Sequence, residues 1–209
     1  MLIDKTLKEF NEVLGSDAPA PGGGSVAALS GSLGANLAAM VCRLSISRPE
    51  LVEFKLLLEE NLKIAGHLSG ALEDHVDRDT EAFNEVMTGF RMPKSTEDEK
   101  LARSQAIQEG YKKALQSPLD IAEDCLKVLE VANNILGKTN PNTLSDLGVA
   151  ALEAHTGLEG AVMNVLINLP SIKDREYASM ISTKVEGLLS KGHEFKTLVY
   201  TYVMGELTK

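Results

Sequence analysis

The sequence predicts an all-α fold, a single helical-bundle domain over residues 1–209. Apolar residues recur at helical spacings of three and four along the whole chain, and no segment shows the sustained alternation that indicates a strand. No linker or low-complexity segment divides the chain. Aromatic residues make up only 4% of the sequence, so the core must consist mainly of aliphatic side chains.

Caps and prolines divide this pattern into successive helices. The first predicted helix is capped by Asp4 or Thr6, the second begins with Ser25 as its cap and runs to about Ile46, and the third runs from Pro49 to Phe90. The next two cover residues 96–116, with Ser95 and Thr96 as caps, and Ser117-Pro118 to about Leu136. The last two begin at Ser145 or Asp146, ending before Pro170, and after a cap formed by Ser171 and Asp174.

The most unusual segment carries no charge from Ala18 to Cys42. Of the 21 residues from Gly22 to Cys42, 13 are Gly, Ala or Ser, whose side chains gain little free energy on transfer into lipid. The residues before this segment are acidic, which excludes the basic start of a signal peptide. We therefore predict no membrane role.

This helix carries two stripes, one of small residues and one of large residues, here called the small stripe and the large stripe. Together they predict a central helix that is covered on both sides. The small stripe is Ala27, Gly31, Ala35 and Ala39, and the large one is Val26, Leu29, Leu33, Leu37, Met40 and Leu44.

Charge and cysteine content exclude other classes of protein. The net charge of −9 argues against a nucleic-acid partner, which needs a basic surface. Cys42 and Cys125 lie in apolar surroundings, where buried free thiols in a reducing cytoplasm are expected rather than a disulfide. We therefore expect a cytoplasmic protein.

Asp79 occupies a position in the apolar seam of the third predicted helix, which runs through Leu72, Val76, Phe83, Val86 and Phe90. A carboxylate on a buried stripe is costly unless it is paired or used. One interpretation is a partnered structural aspartate at a helix crossing. The other is a desolvated carboxylate whose raised pKa suits proton transfer near neutral pH.

Two loops open onto helices that are predicted to be buried. Pro21, Gly22, Gly23, Gly24 and Ser25 form the first, where glycine allows close approach and the helix start offers free N–H donors. The interpretation that competes with a binding site is a helix start that requires tight packing. The second loop carries Asn140, Ser145 and Asp146, and the helix after it carries Asn164 and Asn168 on one face. Together these residues predict a polar pocket in a helical core, with both loops around it, either within one chain or between two copies.

Two motifs of more specific function, a phosphate loop and a metal site, are not supported by the sequence. The segment "LGKT" at residues 136–139 lacks the earlier glycine and the preceding strand of a phosphate loop. His75 and Asp79 have metal-ligand spacing, but no second pair supports them. We therefore predict no metal.

Four segments, in order, resemble the formiminotransferase-cyclodeaminase C-terminal family. They are "APAPGGGSVAALSG", "DTEAF", "KSTEDEK" with "IQEGYKKALQSPL", and "SDLGVAALEAHTGLEGAVMNVLINL". The resemblance covers almost the whole chain and implies an all-helical homodimer that acts on a tetrahydrofolate substrate without a further cofactor. It implies that Asp79 is the catalytic carboxylate and that Pro21–Ser25 and Asn140, Ser145 and Asp146 line the folate site.

Two activities occur in that family, and the segments favour the first. A methenyltetrahydrofolate cyclohydrolase adds water to the methenyl carbon, whereas a formiminotetrahydrofolate cyclodeaminase closes the ring and releases ammonia. A third alternative is a non-catalytic helical dimerisation or scaffold protein.

The chain departs from the family's pattern at two places. Ser47-Arg48-Pro49-Glu50 replaces a Gly-Lys-Lys-rich stretch, and Thr139-Asn140 replaces Gly-Asn. Without the lysine pair, the candidate residues for anchoring the folate glutamate tail are Arg91, Lys94, Lys112 and Lys113.

Overall fold

The computed structural model of the chain is a bundle of α-helices, each of which follows the apolar spacing of three and four residues. It describes residues 1–78 and 87–209 in full and, for residues 79–86, only the helix that contains them. The α-helices are α1 (Leu7–Leu14), α2 (Gly23–Ile46), α3 (Lys55–Arg91), α4 (Glu97–Asn134), α5 (Leu144–Asn168) and α6 (Arg175–Leu207). Short 3-10 turns cover Pro49–Phe54, Pro141–Thr143 and Leu169–Ser171, and no strand occurs in the described residues. The predicted all-α class is confirmed.

Side-chain caps begin three of the helices as predicted. Thr6 caps α1 in a capping box with Glu9, and Thr96 does the same for α4 with Glu99. Asp174 caps α6, because its carboxylate accepts a hydrogen bond from the backbone N–H of Tyr177. Each cap satisfies donors that the first helical turn leaves without partners.

Four predicted helix boundaries are wrong. Helix α3 begins at Lys55 rather than at Pro49, because Pro49–Phe54 is a 3-10 turn. Helix α2 begins at Gly23, and Ser25 is not its cap but a buried residue of the first turn. Helix α4 continues through Pro118, which is buried inside it, so the two helices predicted there are one. A proline removes one helical hydrogen bond, but the buried residues on both sides of Pro118 hold the helix in place. Helix α5 begins at Leu144, one residue before the predicted start.

Small residues let α2 pack closely against α5. A Cβ on Gly34 would lie 2.8 Å from the carbonyl oxygen of Ala150, and one on Gly157 would lie 2.7 Å from that of Ala27. These contacts run in opposite chain directions, so α2 and α5 are antiparallel. The other sides of α2 meet α3 and α4. The small stripe is therefore a packing device, as predicted.

The large stripe of α2 is only partly covered, which corrects the prediction of a helix covered on both sides. Leu33 and Leu44 are both 48% exposed, whereas the small stripe is buried. Helix α5 likewise exposes Leu152, Met163 and Ile167. Leu33 and Leu44 of α2 and these residues of α5 are therefore exposed, whereas Val26, Leu29 and Leu37 pack partly against the core.

Helix α2 is long and apolar enough to cross a membrane by length and composition alone. However, 61% of its most apolar 18-residue segment is buried inside the bundle. Cys42 on the same helix is a buried free thiol, as is Cys125 on α4, and burial raises the pKa of Cys42 to about 11. The prediction of buried free thiols is confirmed.

Gly34→Ala should lower the free energy of unfolding by about 1–3 kcal/mol, because the new methyl group would overlap backbone atoms of α5 that cannot rotate away. Denaturant unfolding measures this change.

Gly187→Ala is the matched control, since no atom lies within 4 Å of the Cβ position in that helix. It should raise the stability by about 0.5–1 kcal/mol, the usual gain when alanine replaces a helical glycine. Equal effects of the two variants would contradict the close packing of α2 on α5.

Candidate functional site

The start of α2 is formed by glycine. Gly22 is the N-cap residue in an extended conformation, and no side chain of residues 1–78 or 87–209 accepts a hydrogen bond from the first backbone N–H groups. Gly23 is exposed, whereas Gly24 and Ser25 are buried. The Ser25 hydroxyl donates a hydrogen bond of 2.8 Å to the carbonyl oxygen of Val76, which fixes this helix start against α3. Free N–H donors at such a position suit oxygen atoms of a ligand.

Asn164 lies beside this helix start. A Cβ on Gly23 would lie 3.5 Å from the Asn164 side-chain nitrogen. That nitrogen donates to the carbonyl of Gly160, and the Asn168 amide donates to the carbonyl of Asn164, in each case one turn back along α5. The structure therefore brings three predicted elements together: the glycine segment, Asn164 and Asn168.

Helix α3 passes the same end of α2, because Val76 is the partner of Ser25. Asp79 follows three residues later in the sequence, but its side chain lies outside the described residues. Its catalytic role therefore stays a prediction. The upstream part of the seam is confirmed, since Leu72 and Val76 are buried.

A polar cluster that the sequence analysis missed joins α2 to α3. The Glu73 carboxylate accepts hydrogen bonds from the hydroxyls of Ser69 at 3.1 Å and Ser32 at 3.3 Å. The Asn36 amide donates to Ser69 at 2.7 Å. A signal was present, because Ser25, Ser32 and Asn36 follow one another at helical spacing in an otherwise apolar helix.

The second predicted loop lies at the opposite end of α2. The Asn140 backbone N–H donates to the buried Ser45 hydroxyl at 2.8 Å, and its side-chain oxygen accepts from the backbone of Asn142. Asn140 is buried and serves to anchor the loop, whereas Ser145 is exposed and Asp146 is half-buried. About 33 Å of helix separates Gly23 from Ser45. The two loops therefore lie apart within one chain, and their meeting around a pocket between two copies stays a prediction.

Histidines and metal ligands add no further centre in the described residues. His75 is buried, and its Nδ1 atom has no partner there. Its Nε2 atom lies 3.9 Å from the Asp124 carboxylate. Burial lowers the pKa of His75, so the ring is mostly neutral near pH 7. No group of three potential ligands occurs in residues 1–78 and 87–209.

Comparison with known proteins reveals one family. The family model described as formiminotransferase-cyclodeaminase matches residues 6–187. The chain is 37% identical to the methenyltetrahydrofolate cyclohydrolase of Methylorubrum extorquens, over 99% of this chain and 100% of that protein. It is 33% identical to the formimidoyltransferase-cyclodeaminase of Rattus norvegicus, over 95% of this chain and 37% of that protein.

A solved structure has the same fold. The formiminotetrahydrofolate cyclodeaminase of Thermotoga maritima superimposes with a TM-score of 0.81, over 100% of this chain and 98% of that one. The two sequences are 24% identical, so this likeness shows the fold.

Ser45→Ala should lower the free energy of unfolding by about 1–3 kcal/mol, because the buried N–H of Asn140 would lose its acceptor. Ser47→Ala, two residues on at an exposed position, should change it by less than about 0.5 kcal/mol. Thermal or denaturant unfolding of both variants tests whether Asn140 anchors the loop.

Proposed function

Because the chain belongs to the formiminotransferase-cyclodeaminase family, we propose that it is a methenyltetrahydrofolate cyclohydrolase, which converts 5,10-methenyltetrahydrofolate and water to 10-formyltetrahydrofolate. The observation that carries this proposal is the match to a cyclohydrolase over the full length of both chains. The rat relative, in contrast, is a longer protein of which this chain spans little more than a third.

The second candidate is a formiminotetrahydrofolate cyclodeaminase. The favouring observation is that the chain also matches, over 95% of its length, part of a protein with that activity in its name. Purified protein should be incubated with each substrate in turn while the methenyl absorbance is followed. Loss of absorbance from methenyltetrahydrofolate supports the cyclohydrolase, and a gain from 5-formiminotetrahydrofolate supports the cyclodeaminase. No change with either substrate would contradict both.

The proposed reaction requires one group that accepts and returns a proton. Water adds to the cationic methenyl carbon and loses a proton as the C–O bond forms. The hydroxyl group of this adduct then loses its proton as the formyl C=O bond forms and the bond from carbon to N5 breaks. N5 takes up one proton, so the net reaction releases one H⁺. A carboxylate can transfer these protons, and its negative charge also favours the cationic carbon. We assign this role to Asp79, three residues beyond Val76.

The rest of the proposed site lies at the start of α2. Backbone N–H groups of the glycine segment can donate to carbonyl oxygens of the folate, and Gly23 leaves room for close approach. No described residue donates to the side-chain oxygens of Asn164 or Asn168, so both can accept hydrogen bonds from ring N–H groups. We expect no metal or further cofactor, because the proton transfers require only the carboxylate.

We further propose that the enzyme is a homodimer joined through the outer sides of α2 and α5. Because these helices pack side by side and both direct large residues away from the core, they form one apolar surface, here called the α2–α5 face. Its residues include Leu33, Leu37 and Leu44 of α2 with Leu152, Met163 and Ile167 of α5. Contiguous exposed apolar surfaces of this kind are typical of protein interfaces.

A two-fold axis across the α2–α5 face would also complete the site. If the axis is perpendicular to α2, it places the α2 helices of the two copies antiparallel, so that the glycine segment of one copy approaches the C-terminal end of α2 in the other. The loop with Asn140, Ser145 and Asp146 lies at that end. The two loops, which are apart within one chain, would then meet between copies.

Asp79→Asn should lower turnover of the methenyl substrate by about 10²–10⁴-fold, because the amide keeps the size and polarity of the side chain but cannot transfer the proton. Folding and dimer mass should not change.

Asp74→Asn, an exposed carboxylate on the same helix, is the matched control and should keep turnover within about twofold. If Asp79 is instead a structural partner, stability falls first and activity falls only with the folded fraction. A stable Asp79→Asn variant with normal turnover of both substrates would exclude the catalytic role.

Leu33→Glu should convert the dimer to monomers, because it places a charge in the middle of the α2–α5 face. Leu198→Glu on α6 is the matched control, since both leucines are 48% exposed. Analytical ultracentrifugation measures the mass. Dissociation by both variants, or by neither, would contradict the proposed interface.

A further inference from the structure

A buried histidine lies between α3 and α4 without a full set of hydrogen-bond partners. The side chain of His75 is only 5% exposed, and its Nδ1 atom has no partner within residues 1–78 and 87–209. Its Nε2 atom lies 3.9 Å from the Oδ2 atom of Asp124 on α4. A buried polar atom without a partner is costly, so the position of His75 requires a reason beyond packing.

Asp124 connects His75 with solvent. Its Oδ2 atom faces His75, whereas its Oδ1 atom accepts a hydrogen bond of 2.7 Å from the Lys127 ammonium. The Asp124 side chain is 15% exposed and lines a surface groove of about 350 Å³. A proton that reaches Asp124 can therefore pass directly to water.

The register of α3 and α4 continues this row of polar groups toward the proposed site. The two helices are antiparallel, because His75 faces Asp124 whereas Gly89, later in α3, lies against Ile107, earlier in α4. The turn of α3 that follows His75 is therefore near Ser117 of α4. The buried hydroxyl oxygen of Ser117 is also without a partner in the described part of the chain.

The turn of α3 that follows His75 contains Asp79. A helix turns by about 100° per residue, so position 79 lies between positions 75 and 76 around the axis, and both of these residues are buried. In the proposed reaction the Asp79 carboxylate accepts two protons and returns one to N5. One proton would therefore remain on Asp79 after each turnover, and it has to reach solvent before the next one.

We propose that His75 relays this proton from Asp79 to Asp124 and so to solvent, a role that rests on the proposed cyclohydrolase activity. The O–H bond of the Asp79 carboxyl breaks as an N–H bond forms at Nδ1 of His75, which leaves a carboxylate and an imidazolium. The Nε2–H bond then breaks as Asp124 accepts that proton and releases it to water. Proton exchange with water returns the ring to its first tautomer, so no group is consumed.

The charges around His75 suit a group that has to accept a proton and release it again. Burial lowers the pKa of His75, so the ring is mostly neutral near pH 7 and its Nδ1 atom can accept. The carboxylates of Asp120 and Asp124 on α4, and of Asp74 on α3, act in the opposite direction and favour the imidazolium. Arg78 disfavours it. The protonated ring would therefore form an ion pair with Asp124 but hold its proton only briefly.

His75→Gln should lower kcat about 10- to 100-fold in dilute buffer, less than loss of the primary proton-transfer group, because Asp79 would release its proton slowly. The KM should stay within about twofold, since the relay does not contact the substrate. Rising concentrations of imidazole or of a morpholine buffer should restore kcat, because a small base can then take the proton. Sodium chloride at the same ionic strength should not restore it. His193→Gln, at an exposed position on α6, is the control and should respond to neither base.

Asp124→Asn tests the other end of the relay, and it keeps the proposal testable if His75→Gln does not fold. It should lower kcat less than His75→Gln does, with the same restoration by added base, and thermal unfolding identifies the folded variants. A wild type that does not turn over methenyltetrahydrofolate would overturn the proposed function and the relay together. With an active wild type, a folded variant at either position that keeps normal kcat, or that gains nothing from added base, would overturn the relay alone.

Discussion

Backbone contact between α2 and α5 is the constraint on which the rest of this structure depends. At Gly34 and Gly157 the space for even a methyl group is occupied by carbonyl oxygens of the facing helix. Helices this close have little freedom to slide, so their ends are fixed as well. One end holds the glycine segment beside Asn164, and the other holds Asn140 on Ser45. The geometry of the candidate site is thus set by packing far from it.

The same close contact determines what remains exposed. A helix that packs its small residues against one neighbour places its large residues on other sides, and in α2 Leu33 and Leu44 are left exposed. Burial of apolar surface is worth about 25 cal/mol per Å², so an apolar face of this length strongly favours a partner. In the proposed dimer, the surface that would stabilise the assembly would also bring the two loops together. Stability and assembly of the site would then have one physical cause.

Local signals in the sequence predicted the helix caps well. They predicted poorly which residues from distant parts of the chain contact each other. Thr6, Thr96 and Asp174 cap helices because a cap depends only on the next three residues. Pro118 was misjudged because its tolerance depends on neighbours that are distant in the chain. The large stripe of α2 was recognised, but periodicity does not tell whether a stripe faces the core or a second copy. The Glu73 cluster was missed for a similar reason, since its partners come from two helices.

The proposed substrate carries its positive charge on the methenyl group, so a carboxylate near that group would compensate it. Helix α3 brings Glu73 into the polar cluster on α2, and Asp79 follows six residues later in the sequence. In the proposed site, the negative charge that transfers the proton would therefore also fix the direction in which the cationic end of the substrate binds.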